Sequence, residues 1–190
     1  DTGNWAGSSA VLGVAVNTHD NLVYTGLTSG KFGVYNNSNG IWMDLSGNDT
    51  GNWAGTAIVY NVAVNSNDNL VYTALASGKF GVYNNSNGIW MDLSGNDTGN
   101  WAGTTTLLGV AVNTNDNLVY TTLGSGKFGV YNNSNGIWMN LSGNDTGDWA
   151  GTATLYNVAV NTNDNLVYTA LASGKFGVYN NSNGIWMNLS

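Results

Sequence analysis

Short apolar runs alternate with Gly- and Asn-rich breaks, and the whole cycle recurs every 48 residues. In the first cycle, Val11-Leu12-Gly13-Val14-Ala15-Val16 is β-branched and apolar throughout. It predicts a strand buried on both faces, ended by the turn Asn17-Thr18-His19-Asp20-Asn21. Leu22-Val23-Tyr24-Thr25-Gly26-Leu27 predicts a second strand, and Thr28-Ser29-Gly30 a turn. Lys31-Phe32-Gly33-Val34-Tyr35 alternates cleanly and predicts a third. Asn36-Asn37-Ser38-Asn39-Gly40 then closes on Asn-Gly, a strong hairpin signal because both residues tolerate positive φ. Ile41-Trp42-Met43-Asp44-Leu45 predicts a fourth strand. Ser46-Gly47-Asn48 leads into Asp49-Thr50-Gly51-Asn52-Trp53-Ala54-Gly55, a polar loop carrying one Trp. No segment holds helical periodicity over a useful length.

Such a period is the mark of a repeat architecture. Trp5, Trp53, Trp101 and Trp149 keep the spacing, as do Trp42, Trp90, Trp138 and Trp186, and Lys31, Lys79, Lys127 and Lys175. Each repeat reads as a four-stranded antiparallel meander with recurring Gly and aromatic positions, which is the description of a propeller blade. The expected fold is therefore all-β, a β-propeller of four tandem blades over residues 1–48, 49–96, 97–144 and 145–190. The first strand, with the small Gly13 and Ala15, belongs at the axis, and the fourth, with Trp42 and Asp44, at the rim. A β-solenoid, the main rival, is disfavoured by the Asn-Gly hairpin. Each repeat starts and ends with a whole blade, so no terminal strand remains to latch a ring. Two arcs joined head to tail would bury both apolar end faces and close an eight-bladed ring with two-fold symmetry. A four-bladed ring closed on itself is the competing arrangement.

The stretch from Asn21 to Leu45, with Asn-Leu-Val-Tyr-Thr-Gly-Leu, Gly-Lys-Phe-Gly-Val-Tyr and Asn-Gly-Ile-Trp-Met-Asp-Leu, resembles blades of sialidase-type (Asp-box) and related bacterial propellers. The Asp-box reads Ser-x-Asp-x-Gly-x-Thr-Trp. Here Asn36-x-Ser38-x-Gly40-x-Trp42 lacks the Asp and brings Trp two residues after Gly instead of three. The resemblance implies the propeller fold and ligands at the mouth of the central channel; localisation stays open, a secreted or cell-surface bacterial setting being compatible with the sequence. It does not carry sialidase catalysis, because that family's Arg cluster has no counterpart in a chain without Arg.

Composition narrows the function. All 11 acids are Asp, all four bases are Lys, and the net charge is −7. That balance argues against nucleic acid and against an anionic membrane surface as partners. There is no Cys, which excludes thiol catalysis and Cys-based zinc sites. Without Arg, Glu or Cys, acid–base and nucleophile roles would fall to Asp alone, and four near-copies supply like residues at four points rather than unlike residues at one. The expectation is a non-enzyme with no cofactor and no metal. A chain that opens on Asp1 without Met and stops two residues short of a full repeat is expected to be trimmed, processed or engineered by repeat amplification.

Two sets of residues stand out as binding candidates. Copies one and two differ at only nine aligned positions, so the differences are readable. They gather at the start of the first strand and the end of the second, which antiparallel pairing puts together near the axis. There Leu12-Gly13 recurs as Leu108-Gly109, and Tyr60-Asn61 as Tyr156-Asn157. One reading is a channel mouth lined by alternating pairs; the other is drift after duplication of a two-blade unit. The second set is the loop carrying Asn4 and Trp5, with its copies Asn52 and Trp53, Asn100 and Trp101, and Trp149. A ring beside amides suits a sugar, and repetition would add avidity; the competing reading makes these Trp apolar spacers between blades. His19, Asn in the other copies, reads as a surface turn residue. The Asn-Asp-Asn turns read as turn chemistry rather than Ca²⁺ loops, and the Lys31 set as solvated strand ends. The expected function is a non-catalytic binding module, lectin-like with repeated weak carbohydrate sites. The alternative is a self-assembling scaffold without a small ligand. Expected partners are the chain itself, as a homodimer, and glycans.

Overall fold

The computed structural model describes residues 3–190; Asp1 and Thr2, the opening of the first repeat, lie outside the described residues. Blade 1 is an antiparallel sheet of β1 (Val11–Asn17), β2 (Leu22–Leu27), β3 (Phe32–Asn36) and β4 (Ile41–Asp44), in that order across the sheet. Blade 2 repeats it with β5 (Val59–Asn65), β6 (Leu70–Leu75), β7 (Phe80–Asn84) and β8 (Ile89–Asp92). Blade 3 holds β9 (Leu107–Asn113), β10 (Leu118–Leu123), β11 (Phe128–Asn132) and β12 (Ile137–Asn140). Blade 4 holds β13 (Leu155–Asn161), β14 (Leu166–Leu171), β15 (Phe176–Asn180) and β16 (Ile185–Asn188). Among the described residues no sheet borrows a strand from another repeat. Positive φ at the first hairpin falls on Asn21 and its copies, at 58–59°, which is why an Asx residue recurs there.

The first strands line the axis, where β1 packs on β5, β5 on β9, and β9 on β13. No comparable packing returns from β13 to β1, so the four blades form an open arc. Most of the core lies between blades; a smaller cluster of Trp5, Ala6, Leu27 and Trp42 lies within blade 1. Between blades 2 and 3, the rings of Tyr72 and Phe80 stack at 5.9 Å. Phe80 meets Tyr131 edge-on at 5.5 Å and Trp138 at 5.2 Å, both on the following blade. Val110 of β9 and Leu107 close the same cluster. Equivalent clusters fill the other two junctions, around Phe32 with Tyr83 and Trp90, and around Phe128 with Tyr179 and Trp186.

Polar side chains run through these junctions as a ladder. Asn17, fully buried, donates from Nδ2 to Asp20 Oδ2 of its own blade (3.0 Å) and to Asn69 Oδ1 of the next (2.9 Å). Asp20 Oδ2 also accepts from Asn85 Nδ2 of the next blade at 3.0 Å. Asn65 and Asp68 make the same contacts to Asn117 and Asn133, and Asn113 and Asp116 to Asn165 and Asn181. Each buried amide is thus satisfied only because a neighbour is present, which ties apolar packing to one register.

Candidate functional site

The loop around Trp53 is committed to structure. The Asp49 carboxylate accepts the Trp53 and Ala54 N–H groups, both at 2.9 Å, and so fixes the chain into the turn. Thr50 N–H, Thr50 Oγ1 and Trp53 Nε1 all donate to the Trp90 carbonyl, stitching the loop to the outer strand of the blade that follows. The Trp53 indole lies on Gly81, where an added Cβ would come 2.1 Å from the ring. That close approach explains the Gly of every Gly-Val-Tyr strand. Trp5, Trp53, Trp101 and Trp149 are all buried and offer no ring face to a sugar. Each packs edge-on against the outer-strand Trp of its own repeat, and Trp5, with no blade before it, is as buried as its copies, so these rings are not spacers held between blades. Asn4, Asn52 and Asn100 sit beside them at positive φ and are exposed. The lysines differ from expectation too. Lys31 Nζ donates to the Trp5 carbonyl, and Lys79, Lys127 and Lys175 do the same for Trp53, Trp101 and Trp149, so they clamp the loop instead of standing in solvent. His19 is exposed, as a turn residue. Among the described residues no cluster of three His or acidic side chains could hold a metal ion.

The axial end of the arc has a different character. An open depression of about 590 Å³ is lined by Leu12, Gly13, Val14, Tyr60, Asn61, Leu108, Tyr156 and Asn157. Apart from Val14, these are positions at which the repeats differ. The register of β1 against β2 shifts between Val11 and Gly13, and the same shift occurs at Tyr60, Leu108 and Tyr156. Each of those residues is the extra one of a β-bulge, a device that re-aims a side chain. Asn61 Nδ2 donates across the axis to Asn157 Oδ1 at 3.3 Å. The oxygens of Asn61 and Asn157 also accept the N–H of Val62 and Val158 at 2.9 Å. Tyr156 is 59% exposed. The alternation has a steric component: a Cβ on Gly13 would lie 2.7 Å from Asn61 Cα, and one on Gly109 would lie 3.0 Å from Asn157 Cα. Blades with Gly at the mouth let the next blade's Asn come close.

Burial raises the phenols of Tyr24, Tyr72 and Tyr120 well above their ordinary range, aided by the nearby Asp20, Asp68 and Asp116 carboxylates. Burial likewise raises the Asp68 and Asp116 carboxyls. All five belong to the junctions between blades, and none lines the mouth. Sequence reading passed over the bulge and the Asn ladder. The repeated Asn-x-x-Asp-Asn spacing was the available signal for the ladder.

No family model matches the chain, and no curated protein matches it. Solved structures do. One, described as "Structure of U3-55K", superposes with a TM-score of 0.74 at 12% identity, over 95% of this chain and 52% of that one. Another, "Crystal structure of RRP9 WD40 repeats", gives 0.74 at 11% identity, over 95% of this chain and 51% of that one. The chain has the fold of an all-β propeller arc and spans about half the length of these structures. Neither of these two structures is described as a sialidase, so the sialidase-type resemblance stands unconfirmed.

Proposed function

We propose that the chain is a non-catalytic binding module that works as half of an eight-bladed ring, with each 48-residue repeat one blade. One observation supports the reading above others: the two ends of the arc expose the residues that every internal junction buries. Val14 is 63% exposed where Val62, Val110 and Val158 are buried, and Phe176 is 44% exposed where Phe32, Phe80 and Phe128 are fully buried. Two chains head to tail would match these faces twice and close the ring. Blade 4 carries Asn157 and blade 1 carries Gly13, so the Gly–Asn alternation runs unbroken across such a joint, as an even number of blades requires. Near-identity of the copies accords with an amplified or designed repeat. Light scattering at micromolar concentration is expected to give twice the 19.9 kDa of the chain; a persistent monomer would refute the reading.

The ligand would be taken at the mouth. Tyr60, Asn61, Tyr156 and Asn157 offer aromatic faces beside amides, the chemistry that suits a polyhydroxylated ligand such as a glycan. A glycan array is expected to show binding that the Tyr60→Ala, Tyr156→Ala double variant loses. Silence across the array would leave the chain a self-assembling scaffold.

A further inference from the structure

The ends of the arc also break the polar ladder. At the trailing end, Asn161 Nδ2 donates to Asp164 Oδ2 at 2.7 Å and reaches no second blade. Asp164 is exposed, where Asp68 and Asp116 are half-buried. At the leading end, Asn21 and Asn37 are exposed, whereas their copies Asn69 and Asn85 are half-buried in the contacts to Asn17 and Asp20. Beside Asp164, the trailing face carries a shallow recess of about 130 Å³ lined by Val158, Tyr168, Ala170 and Phe176 among others. Its internal counterpart, around Tyr72 and Phe80, is filled by Val110 and the rings of the next blade.

Resting on the ring reading, we infer that a second copy of this chain seats Val14 against this recess, and that a polar clasp selects the joint. Asn161 donates to the partner's Asn21, and Asp164 accepts from the partner's Asn37, as in all three internal junctions. The clasp supplies what apolar faces lack, a preference for orientation. Two trailing faces together would oppose Asp164 to the partner's Asp164, a like-charge pair for which each blade supplies its own Asn161 as donor, with no Asn37 across the joint to add a second. Two leading faces would bring Asn21 and Asn37 together with no carboxylate to receive them. A slip along the sheet would strand the same groups under an apolar cover, at the full desolvation cost of each. The head-to-tail register gives all four the partners they have in the internal junctions, and it is the register that closes.

The test uses the full chain with Asn37→Ala and Asn21→Gly, alone and together. Gly is chosen at position 21 because φ there is +59°. Neither side chain has a partner blade within its own chain, so arc folding, read as the melting curve of dilute protein, should be unchanged. Sedimentation velocity is expected to show the double variant associating at least tenfold more weakly per joint, or about a hundredfold for the two joints of a ring. A wild type that dimerises and a double variant that dimerises equally well would overturn the clasp and leave the ring standing. A wild type that stays monomeric would overturn both.

Discussion

Phe80 and Phe176 occupy the same place in two copies of one blade. Phe80 is sealed by Tyr131 and Trp138 of the next blade, and the polar groups beside it, Asn65 and Asp68, reach Asn117 and Asn133. Phe176 faces outward, with Asn161 and Asp164 bonded only to their own blade. The sequence from β6 through β7, strand pairing and stacking within the blade are the same, down to the Tyr168–Phe176 contact at 5.8 Å. A blade therefore forms its own hydrogen-bonded sheet and a small outer cluster of its own, as Trp5, Leu27 and Trp42 do, but not the main core. The core is a property of the junction, as expected where each repeat buries its apolar face only against a neighbour. Three junctions for four blades leave two half-cores, and their complementarity is the basis of the ring.

The largest contrast should come from charge. Val62→Asp places a carboxylate in the closed junction between blades 1 and 2 and should abolish cooperative folding, seen as loss of a melting transition. Val14→Asp, the same change on the open face, should leave the arc folded and monomeric. Truncation comes next. Phe80→Ala should cost about 3–5 kcal/mol in denaturant unfolding. Phe176→Ala should cost far less at dilutions where chains are separate, its effect moving to association. Gly81→Ala, which drives a methyl into the Trp53 ring, should destabilise by about 1–3 kcal/mol or more.

Alkaline titration probes the junctions from another side. Tyr24, Tyr72 and Tyr120 have folded pKa values raised above the ordinary 10.0, so the folded state holds protons the unfolded chain gives up. Their contribution is intact below about pH 10 and is lost as pH rises beyond it. The tyrosine absorbance of these three is expected to change only with unfolding. The smallest effect is expected at the mouth, where Tyr156→Ala should shift stability by no more than about 0.5 kcal/mol while weakening any ligand bound there.

Features set by local chemistry were legible in the sequence. The Asn-Gly hairpin, the small residues of β1 and the 48-residue period place every strand to within a residue or two. Features set by a neighbour were not. The Lys31 acceptor is a carbonyl 26 residues earlier, and Asn17 finds Asn69 at a separation of 52 residues, across a junction. Trp53 reads as a sugar platform or, more strongly, as a spacer between blades, and only the placement of Gly81 and Trp90 shows that it packs on its own repeat. The alternation at Tyr60 was visible as a pattern, but the bulge that turns it toward the axis depends on the pairing of β5 with β6.

Complementation of two end-face variants tests the central claim most directly. Val14→Asp spoils the leading face and Phe176→Asp the trailing face, so either chain alone should sediment at its 19.9 kDa monomer mass. Mixed in equal amounts, the intact trailing face of the first meets the intact leading face of the second, and a complex containing both chains should appear. If the mixture stays monomeric while the wild type associates, or if only one of the two variants disrupts association, the joint is not head to tail and the half-ring account fails.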